Sequence, residues 1–382
     1  MAACAQIATA CYKNNMMRIA ATFAVVAFCL AAQAQEKRYV VIDQDAAGPG
    51  GTDMMSILVL LQSPKVDVLG ITVVVGDNWR DEEVAHTLRL LELVGRSDIP
   101  VVPGAAFPLV RTREETRLWE QRYGKQPYQG AWSRRESSHD PFAVPPLPEG
   151  NPAAKARDED AAHFLVRMVR QHPHQVTIYA GGPMTNLALA QSLDPGFAEM
   201  SQGLVFMGGA LNPSGSDPEY TDTPRREFNL WFDPEAAHIV LRAHWPSIVC
   251  TTVDVSVKTR LSQEMFDQIA KSRTPAAQYI ARYSHAGRSY LWDELAAAAW
   301  LDPSLITAER QVYMDVNLDH GAGYGDTLTW SDRNKPALDR RLVHAQMDVD
   351  MPKFGRMFVE LMTAPTPGAH NPLMPVEPGK AP

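Results

Sequence analysis

Residues 38–61 read RYVVIDQDAAGPGGTDMMSILVLL, and this stretch decides the fold. Its apolar run YVVI is made of β-branched and aromatic residues, which favour a buried strand. Asp43 and Asp45 follow that run, and a loop rich in glycine leads to Thr52, Asp53 and a second apolar run. The pattern predicts a strand, a loop and a helix that begins near Asp53.

Asp45 and Asp53 are predicted to face one crevice. Ligands of open α/β sheets bind beyond the carboxyl ends of the strands, and one acid lies at the strand end while the other lies at the helix start. Hard oxygen ligands of this kind suit Ca²⁺ or Mg²⁺. Plain capping of the helix needs only one acid. The additional carboxylates therefore favour a metal or catalytic site over capping alone.

Strand-like and helix-like segments alternate along the rest of the chain. Apolar runs such as residues 66–75 indicate strands covered on both faces, and residues 79–95 have helical spacing with a glycine at the end. Three shorter strands near the C-terminus suggest an antiparallel edge. The sequence predicts one α/β domain with a mainly parallel open sheet flanked by helices and a small antiparallel C-terminal part.

Acids and glycines recur where the predicted strands end. Asp77 and Asn78 follow the second strand, glycine pairs at 181–182 and 208–209 end the fourth and fifth, and Asp254 lies in the predicted sixth strand, residues 247–257. Glycine allows backbone groups to approach a ligand closely. These positions are therefore candidates for the lining of the same crevice.

Residues 107–156 lack clear periodicity and are rich in Arg, Glu, Pro and Trp. A long irregular segment in a compact domain is usually a functional loop or lid, or it is disordered. Four of its aromatic side chains can stack on a planar ligand or pack the loop onto the surface, and both interpretations stay open: Trp119, Tyr123, Tyr128 and Trp132.

The net charge and the N-terminal segment restrict the class of protein to which the chain can belong. The net charge of -8, from 36 basic and 44 acidic residues, argues against a protein that binds nucleic-acid phosphates. Residues 1–34 are predicted to be a signal peptide, with a basic start, a short apolar core and the cleavage pattern AQA. We expect an exported protein, periplasmic or secreted, without stable membrane insertion after cleavage. An uncleaved anchor is the alternative.

Cysteine usage and the C-terminal composition complete the domain prediction. Cys250 is the one cysteine outside the leader, and its apolar neighbours predict a buried, inert thiol without a disulfide framework or a zinc site. Residues 35–362 are predicted to be the catalytic domain. Residues 363–382 are rich in proline and are predicted to be a disordered tail.

Several common enzyme motifs are missing. The first loop lacks the Lys-Ser/Thr of a Walker loop, and the chain has no GxGxxG and no GxSxG motif. The DxD spacing of Asp43 and Asp45 also resembles phosphatases of the haloacid dehalogenase type, in which Asp43 would be the nucleophile. No convincing set of the partner residues of that reaction is present.

Several blocks resemble the inosine-uridine-type nucleoside hydrolases. DQDAAGPGGTD is similar to the family's DxDPGxDD, LGITVVVGDN to LGITTVxGN, AGGPMTNLALA to GPLTNLA, and REFNLWFDPEAAHIV to AEFNxxxDPEAA. SYLWDELAAAAWLDPS resembles HDPxAxAxxxDPS, and the blocks cover most of residues 38–332. The resemblance implies the Rossmann-like nucleoside hydrolase fold and hydrolysis of ribonucleosides to free base and ribose.

The resemblance also implies a Ca²⁺ site at the floor of the crevice. Asp45 would be a calcium ligand and the general base that activates a metal-bound water. Asp53 and Asp293 would be further acidic ligands, and Gly181 would contribute its backbone carbonyl. The remaining implied positions contact the substrate: Thr52, Asp77, Asn78, Glu227, Asn229 and Trp292.

The chain departs from the family pattern around this site. The loop after Asp45 is three residues longer, Thr52 stands where a ribose-binding Asp is usual, and Asp77 stands where Asn is usual. Trp292 replaces the His that commonly protonates the leaving base, and it can either stack on the base or merely pack. Three histidines remain as candidate acids, and no spacing selects one: His139, His285 and His320.

The implied partner is a small-molecule nucleoside or related N-glycoside, and family members are commonly homodimers or homotetramers. Acids around the sugar would stabilise the positive charge of the oxocarbenium-like transition state. Because Thr52 and Trp292 alter the expected contacts, two alternatives stay open. One is hydrolysis of another N-glycosidic compound, and the other is a calcium-dependent nucleoside or sugar binding protein without turnover.

Overall fold

The computed structural model describes residues 37–132, 140–212, 225–287, 290–337, 340–370 and 373. Within these ranges the strands are β1 (Arg38–Gln44), β2 (Val66–Val73), β3 (Val101–Pro103), β4 (Val176–Ala180), β5 (Gly203–Met207), β6 (Ile248–Thr251), β7 (Ile306–Val316), β8 (Thr327–Trp330) and β9 (Leu342–Val349). They form one sheet in the order β3-β2-β1-β4-β5-β6-β9-β7-β8. Pairing is parallel from β3 to β9, and β7 is antiparallel to β9 and β8. The predicted fold class is confirmed.

The helices of the described ranges occupy both faces of this sheet. They are α1 (Thr52–Leu61), α2 (Arg80–Val94), α3 (Arg113–Tyr123), α4 (Ala161–Gln171), α5 (Thr185–Leu193), α6 (Phe197–Met200), α7 (Phe228–Phe232), α8 (Pro234–Arg242), α9 (Val253–Ser256), α10 (Gln263–Ala270), α11 (Pro275–Tyr283), α12 (Trp292–Leu301) and α13 (Met351–Thr363). Val40 and Ile42 of β1 pack with α1, α2 and α12 in one apolar core. Val41 packs with α4 and α5 in a second core. Alternate residues of one strand therefore bury both faces of the sheet.

The direction of the chain reverses across the sheet at β1. From β1 the chain adds β2 and then β3 on one side, and it later adds β4, β5 and β6 on the other side. The loops that leave the carboxyl ends of β1 and β4 therefore diverge, and such a switch point opens a ligand crevice. Asp45 follows β1 and Gly181 follows β4, so the sheet order places both at this crevice.

The segment 107–156 contains a helix that the sequence analysis missed. Helix α3 begins with a capping box, in which the Thr112 side chain accepts from the Glu115 backbone and the Glu115 side chain accepts from the Thr112 backbone. Only Thr116 and Glu120 are buried along α3, and both are polar. The helix therefore has no apolar stripe that a search for periodicity would detect. Residues 133–139 lie outside the described residues.

Asp254 does not lie in a strand, contrary to the sequence prediction. Strand β6 ends at Thr251, and Asp254 belongs to the short helix α9. Its carboxylate accepts the backbone N–H groups of Leu211 and Asn212 at 2.9 and 2.8 Å. These tertiary hydrogen bonds hold the start of the loop after β5, and they are compatible with a helical turn despite the β-branched neighbours of Asp254.

Two further sequence predictions concern the C-terminal tail and Cys250. In the C-terminal tail, the His370 N–H donates to the Gly95 carbonyl at 2.6 Å and the Leu373 N–H donates to the Glu92 carbonyl at 3.3 Å, both at the end of α2. Residues 371–372 and 374–382 and the predicted signal peptide lie outside the described residues. Cys250 is a buried free thiol, as predicted, and its Sγ donates to the Gly208 carbonyl at 3.0 Å. In the described part of the chain, no helix combines the length and apolar character needed to cross a membrane.

Candidate functional site

Asp45 lies at the switch point with glycine backbone on two sides. The residue is 2% exposed, and its Oδ2 accepts the Asp77 N–H at 3.0 Å. A Cβ atom at Gly76 would lie 2.1 Å from Asp45 Oδ2, and one at Gly182 would lie 2.6 Å from Asp45 Oδ1. Both glycines are therefore required for the close approach of the backbone to this carboxylate. The glycine pair after β4 was visible in the sequence, but the residue that it contacts was not.

Asp53 and Asp293 come from the starts of two helices, α1 and α12, that pack against each other. The side chain of Gln44 connects them, because its Nε2 donates to Asp293 Oδ2 at 3.0 Å and to the Asp53 carbonyl at 3.4 Å. The Ala47 N–H donates to Asp53 Oδ2 at 3.2 Å. Gln44 is fully buried, and the sequence analysis did not single it out.

The acids of the crevice interact unfavourably with one another. Burial raises the pKa of Asp45 well above its usual range, and the charges of Asp77 and Asp53 raise it further. Burial likewise raises the pKa of Asp293, with additional contributions from Asp53 and Glu294. Because a cation beside these carboxylates would relieve their repulsion, the electrostatics of the crevice fit a positively charged ligand.

The donor set fits a hard divalent cation by its chemistry. Asp45, Asp53 and Asp293 offer carboxylate oxygens, and Gly181 offers a carbonyl that also accepts from Asn229 Nδ2 at 2.7 Å. Among the described residues, no three His, Cys, Asp or Glu side chains are already grouped as a metal-binding cluster. The fit therefore rests on oxygen donors from separate elements and on the electrostatics of the acids.

Glu227 and Asn229 form hydrogen bonds with backbone groups at the floor of the site. The Glu227 carboxylate accepts the backbone N–H groups of Asn229, Leu230 and Gly209 at 2.8, 3.1 and 3.0 Å. Asn229 Nδ2 donates to the Gly181 carbonyl and, at 3.2 Å, to the Met207 carbonyl. Both side chains are buried. In this structure they tie the ends of β4 and β5 to α7.

Asp77 and Asn78 line the crevice beside Asp45. Asp77 is half-buried, and Asn78 is buried with its Oδ1 accepting the Trp79 N–H at 2.8 Å. The Asn78 N–H donates to Glu83 Oε1 at 2.7 Å. Asn78 Nδ2 is buried and has no hydrogen-bond partner in the described ranges. That amide group is a donor that a substrate hydroxyl can satisfy.

Asp43 does not fit the role of a nucleophile. The residue is fully buried, and its Oδ1 accepts hydrogen bonds from Thr72 Oγ1 and, at 2.7 Å, from Asn186 Nδ2. Asn186 Oδ1 in turn accepts the Ala105 N–H at 2.7 Å. Asp43 and Asn186 therefore join the ends of β1 and β3 to the start of α5. This position behind the crevice disfavours the phosphatase alternative.

The long loop after Asp45 is packed against the rest of the domain. The Gly50 N–H donates to the Tyr279 hydroxyl at 3.2 Å, and Gly50 has a φ of 70°. A Cβ at Gly48 would lie 3.3 Å from the His86 ring. That ring is buried and forms an ion pair with Glu149. Helices α2 and α11 thus hold the extra residues that precede Asp53.

An aromatic cluster connects segment 107–156 to the crevice. The Ala131 N–H donates to the Gly76 carbonyl at 2.8 Å, which docks the short 3₁₀ turn Gly130–Trp132 beside Asp45. The cluster is Val75, Trp79, Ala131, Trp132, Phe228, Trp231 and Phe232, with Tyr128 packed against it. The docked turn forms one wall of the site.

The four aromatics predicted in this segment have different environments. Trp132 is 5% exposed and packs on Phe232 with ring centroids 4.5 Å apart, so it is part of the core. Tyr128 is half-buried beside Phe228. Trp119 packs against Tyr123, and its Nε1 donates to the Gly321 carbonyl at 2.8 Å in the β7–β8 connection. Tyr128 is the one of the four that lies at the crevice wall with part of its surface accessible.

Trp292 and the candidate histidines complete the predicted set. Trp292 is half-buried at the start of α12 and packs edge-to-face on Tyr290 at 4.8 Å. His285 is exposed, and His320 is exposed and stacked on Tyr324 at 4.3 Å. His139 lies outside the described residues. The structure therefore gives neither described histidine a contact with the acids of the site.

The sequence and the fold match known proteins. The family model described as inosine-uridine preferring nucleoside hydrolase matches residues 40–356. A probable uridine nucleosidase 2 of Arabidopsis thaliana is 33% identical, over 65% of this chain and 69% of that protein. A pyrimidine-specific ribonucleoside hydrolase RihA of Citrobacter koseri is 31% identical, over 64% of this chain and 70% of that protein.

Solved structures give the same result at the level of the fold. The plant nucleoside hydrolase PpNRh1 has a TM-score of 0.68 at 25% identity, and the alignment covers 86% of this chain and 99% of that chain. A purine-preferring ribonucleoside hydrolase from Gardnerella vaginalis has a TM-score of 0.67 at 23% identity, and the alignment covers 85% and 98% of the two chains. The relatives differ in the base that their names specify.

Proposed function

Because this chain belongs to the inosine-uridine preferring nucleoside hydrolase family, and is thus an N-glycosyl hydrolase, we propose that it cleaves ribonucleosides in a calcium-dependent reaction in which Asp45 is the general base. The products would be the free base and ribose. The observation that carries the proposal is the convergence of Asp45, Asp53 and Asp293 at the switch point of the sheet.

The proposed calcium ligands are these three acids and the Gly181 carbonyl. When bound, Ca²⁺ would lower the pKa of a coordinated water and orient it. Asp45 Oδ2 accepts the Asp77 N–H, which leaves Oδ1 to take the proton of the attacking water. The Asp77 N–H and the two flanking glycines fix the orientation of the Asp45 carboxylate.

The same acids stabilise the transition state. Breaking the N-glycosidic bond builds positive charge on the sugar, and buried carboxylates close to that charge stabilise it more strongly than they would in water. Asn78 and the backbone braced by Glu227 and Asn229 would position the sugar hydroxyls. The half-buried Trp292 and Tyr128 offer aromatic surface to the leaving base.

The test is a panel of ribonucleosides incubated with the protein in Ca²⁺ and in chelator. Free base and reducing sugar are measured together. Asp45→Asn should reduce kcat by at least about 10³-fold and keep nucleoside binding, because Asn can still accept the Asp77 N–H but cannot take a proton. Asp302→Asn, which alters a half-buried acid paired with Lys353 at the other end of α12, is the matched control and should keep full activity.

The outcomes separate the alternatives. Calcium-dependent release of base and ribose, lost in Asp45→Asn and kept in Asp302→Asn, supports the proposal. Binding of calcium and nucleoside without release would favour a binding protein, an alternative suggested by Thr52 and Trp292 at positions where the family has an acid and a histidine. Equal rates of base and ribose release in Ca²⁺ and in chelator would contradict the metal requirement.

We also propose that the enzyme acts outside the cytoplasm. The proposal rests on the leader pattern of residues 1–34 alone. Expression of the full chain followed by N-terminal sequencing of the exported protein should give Gln35 as the first residue. Retention of Met1 or Met16 on the protein would contradict cleavage.

A further inference from the structure

Gln44 is a polar residue on an apolar face of the sheet. It ends β1, and the residues two and four positions before it, Ile42 and Val40, point into the core formed with α1 and α12. The side chain of Gln44 follows the same alternation and is fully buried. Position 44 is left open in the family's opening pattern DxDPGxDD, so the resemblance assigns this residue no role.

The nitrogen of the Gln44 amide uses both of its protons. Nε2 donates to Asp293 Oδ2 and to Ser56 Oγ, each at 3.0 Å. Ser56 Oγ donates its own proton to the Asp53 carbonyl at 2.7 Å, so this hydroxyl is available to Nε2 as an acceptor. The contact with Ser56 therefore fixes which side of the amide carries the nitrogen and which side carries the oxygen.

The oxygen of the same amide has no hydrogen-bond partner among the described residues. It lies against Gly181, where a Cβ atom would be 2.0 Å from Gln44 Oε1 and 2.5 Å from Nε2. Glycine at position 181 therefore leaves the space that the amide occupies. The amide of Gln44 thus lies between Asp293 and Gly181, which are two of the four residues proposed to bind calcium.

An unpartnered amide oxygen does not by itself indicate a ligand, as Gln62 shows. Gln62 is 1% exposed at the C-terminal end of α1, and its Nε2 donates to the Leu361 and Ala364 carbonyls at 3.0 and 2.7 Å. Its Oε1 also lacks a partner within the described ranges. The acids proposed to bind calcium lie at the other end of the helix. The position of Gln44 among those residues therefore distinguishes the two glutamines.

Gln44 is not needed to hold the two acid-bearing helix starts together. Thr52 is half-buried at the start of α1, and its Oγ1 is hydrogen-bonded at 2.5 Å to Oε2 of Glu294, which is buried in the first turn of α12. Helices α1 and α12 also pack directly on each other. An apolar side chain at position 44 would fill the same space without a buried unpartnered oxygen, so packing alone does not account for the amide.

We propose that Gln44 Oε1 is an additional oxygen ligand of the cation at the proposed calcium site. An amide oxygen is a hard donor of the kind that Ca²⁺ binds. As calcium ligands, the acids and the Gly181 carbonyl offer lone pairs rather than protons, so a cation is the partner that they can share with Oε1. The hydrogen bonds of Nε2 hold Oε1 in place before the cation binds. This inference rests on the proposed function and adds one protein ligand to its calcium site.

The additional ligand should favour Ca²⁺ over Mg²⁺. Ca²⁺ takes about six to eight oxygen ligands in flexible arrangements, whereas Mg²⁺ requires near-ideal octahedral geometry and usually keeps several waters. Removal of Oε1 should therefore weaken the binding of Ca²⁺ more than the binding of Mg²⁺, and a water should take the place of the lost oxygen. A residue that only supports packing would change neither the metal preference nor the number of bound waters.

The experiment measures metal binding by the protein without substrate. Gln44→Met keeps the length of the side chain and removes both polar atoms, and Gln62→Met makes the same change at the matched buried glutamine. Calorimetry should give a calcium Kd about 10-fold or more higher for Gln44→Met than for the wild type, with a smaller change for Mg²⁺. Bound Tb³⁺, used in place of calcium, should carry about one more water in Gln44→Met, as measured by its luminescence lifetimes in H₂O and D₂O. Gln62→Met should match the wild type in both measurements.

Gln44→Glu keeps the test independent of folding defects. Its carboxylate retains an oxygen at this position and adds a negative charge beside Asp293. The Tm of Gln44→Glu should therefore fall in chelator, and calcium should raise it by more than it raises the Tm of the wild type. The number of waters on bound Tb³⁺ should stay at the wild-type value.

Two results would overturn the inference, and they have different consequences for the proposed function. A Gln44→Met variant with a lower Tm but with the calcium affinity, metal preference and water count of the wild type would overturn the inference alone. A wild type that binds neither Ca²⁺ nor Tb³⁺ would overturn the proposed calcium requirement and this inference with it.

Discussion

Asp43 shows how a buried acid can support the site without lining it. Its Oδ1 accepts hydrogen bonds from Thr72 and Asn186, which lie beside β1 and at the start of α5. Burial raises the pKa of Asp43 to about 7, even though both hydrogen bonds oppose that rise. The protonated acid is therefore favoured in the folded state below neutral pH.

Asp43→Asn should make the stability of the protein less dependent on pH. The pKa of Asp43 is about 7 in the folded state and about 3.9 in the unfolded state. Folding therefore takes up a proton between these pH values, and the stability of the wild type falls as the pH rises toward 7. Asparagine resembles the protonated acid at every pH. From about pH 5 to pH 8, the free energy of unfolding of Asp43→Asn should rise relative to the wild type by roughly 2 kcal/mol.

Urea unfolding of the wild type and Asp43→Asn in chelator, at about pH 5 and about pH 8, measures this change in relative stability. The control is Asp319→Asn, which changes an exposed acid in the β7–β8 connection and should show no such change. If the free energies of unfolding of Asp43→Asn and the wild type differed by the same amount at both pH values, the raised pKa of Asp43 would be contradicted.

At the scale of single residues, the sequence identified the acids but not their partners. Asp45, Asp53 and Asp293 were found because each belongs to a recognisable block. Gln44 and Glu294 were missed, since their hydrogen bonds reach across 249 and 242 positions of the chain. Local patterns carry no information about such contacts, so only the folded structure could reveal them.

The loop between β1 and α1 is an element in which backbone geometry determines the placement of Asp53. Gly50 has a φ of 70°, and a Cβ there would lie 2.4 Å from the Tyr283 backbone. Gly50→Ala should therefore displace the loop, weaken calcium binding by about 10-fold or more and lower activity. Gly51 has a φ of -76°, and its Cβ would meet only the Gly48 carbonyl at 3.5 Å. Gly51→Ala is thus the matched control.

Calcium titration by calorimetry with both variants tests this prediction. Equal calcium affinity in Gly50→Ala and the wild type would show that the loop does not position Asp53.

A second prediction at the scale of structural elements concerns the docked turn Gly130–Trp132. Gly130 has a φ of 54°, and a Cβ there would lie 2.2 Å from the Gly76 carbonyl and 2.5 Å from the Phe228 ring. Gly130→Ala should undock the turn from the crevice and raise KM several-fold. Gly124 also has a positive φ, of 110°, but a Cβ there would meet no atom within 4 Å.

Gly124→Ala should therefore lower stability without changing KM. Steady-state kinetics on both variants distinguishes the effect of backbone strain from the effect of undocking the turn Gly130–Trp132. Equal KM values in the two variants would exclude segment 107–156 from substrate binding.

Elements were predicted where apolar periodicity was strong. The predicted segments 66–75 and 79–95 agree with β2 and α2 to within two residues at each end, because buried faces impose a regular pattern. Helix α3 was missed because its buried residues are polar, and the strand prediction around Asp254 was wrong because tertiary hydrogen bonds favoured a helical turn. In both cases contacts distant in sequence decided the local structure.

The whole molecule concentrates negative charge at one edge of its sheet. Acids from the β1 loop, the β2 loop and the starts of α1 and α12 meet at the switch point, and burial raises the pKa values of Asp45 and Asp293 there. The proposed calcium site therefore predicts that Ca²⁺ raises the stability of the entire domain, since a cation that binds only the folded state and relieves the repulsion stabilises that state. At about 100 times its Kd, Ca²⁺ should add about 2.7 kcal/mol, which corresponds to a rise in Tm of roughly 5 °C for a domain of this size.

The rise in Tm that calcium causes should be larger at higher pH. Lowering the pH protonates Asp45 and Asp293, whose pKa values are raised, and protons then compete with calcium, so the gain in Tm should be larger at about pH 8 than at about pH 5. Thermal unfolding with calcium and with chelator at both pH values measures this. Asp53→Asn should abolish most of the gain, whereas Asp302→Asn should keep it because that acid pairs with Lys353 at the far end of α12. A gain that is the same in Asp53→Asn and the wild type would place the calcium elsewhere.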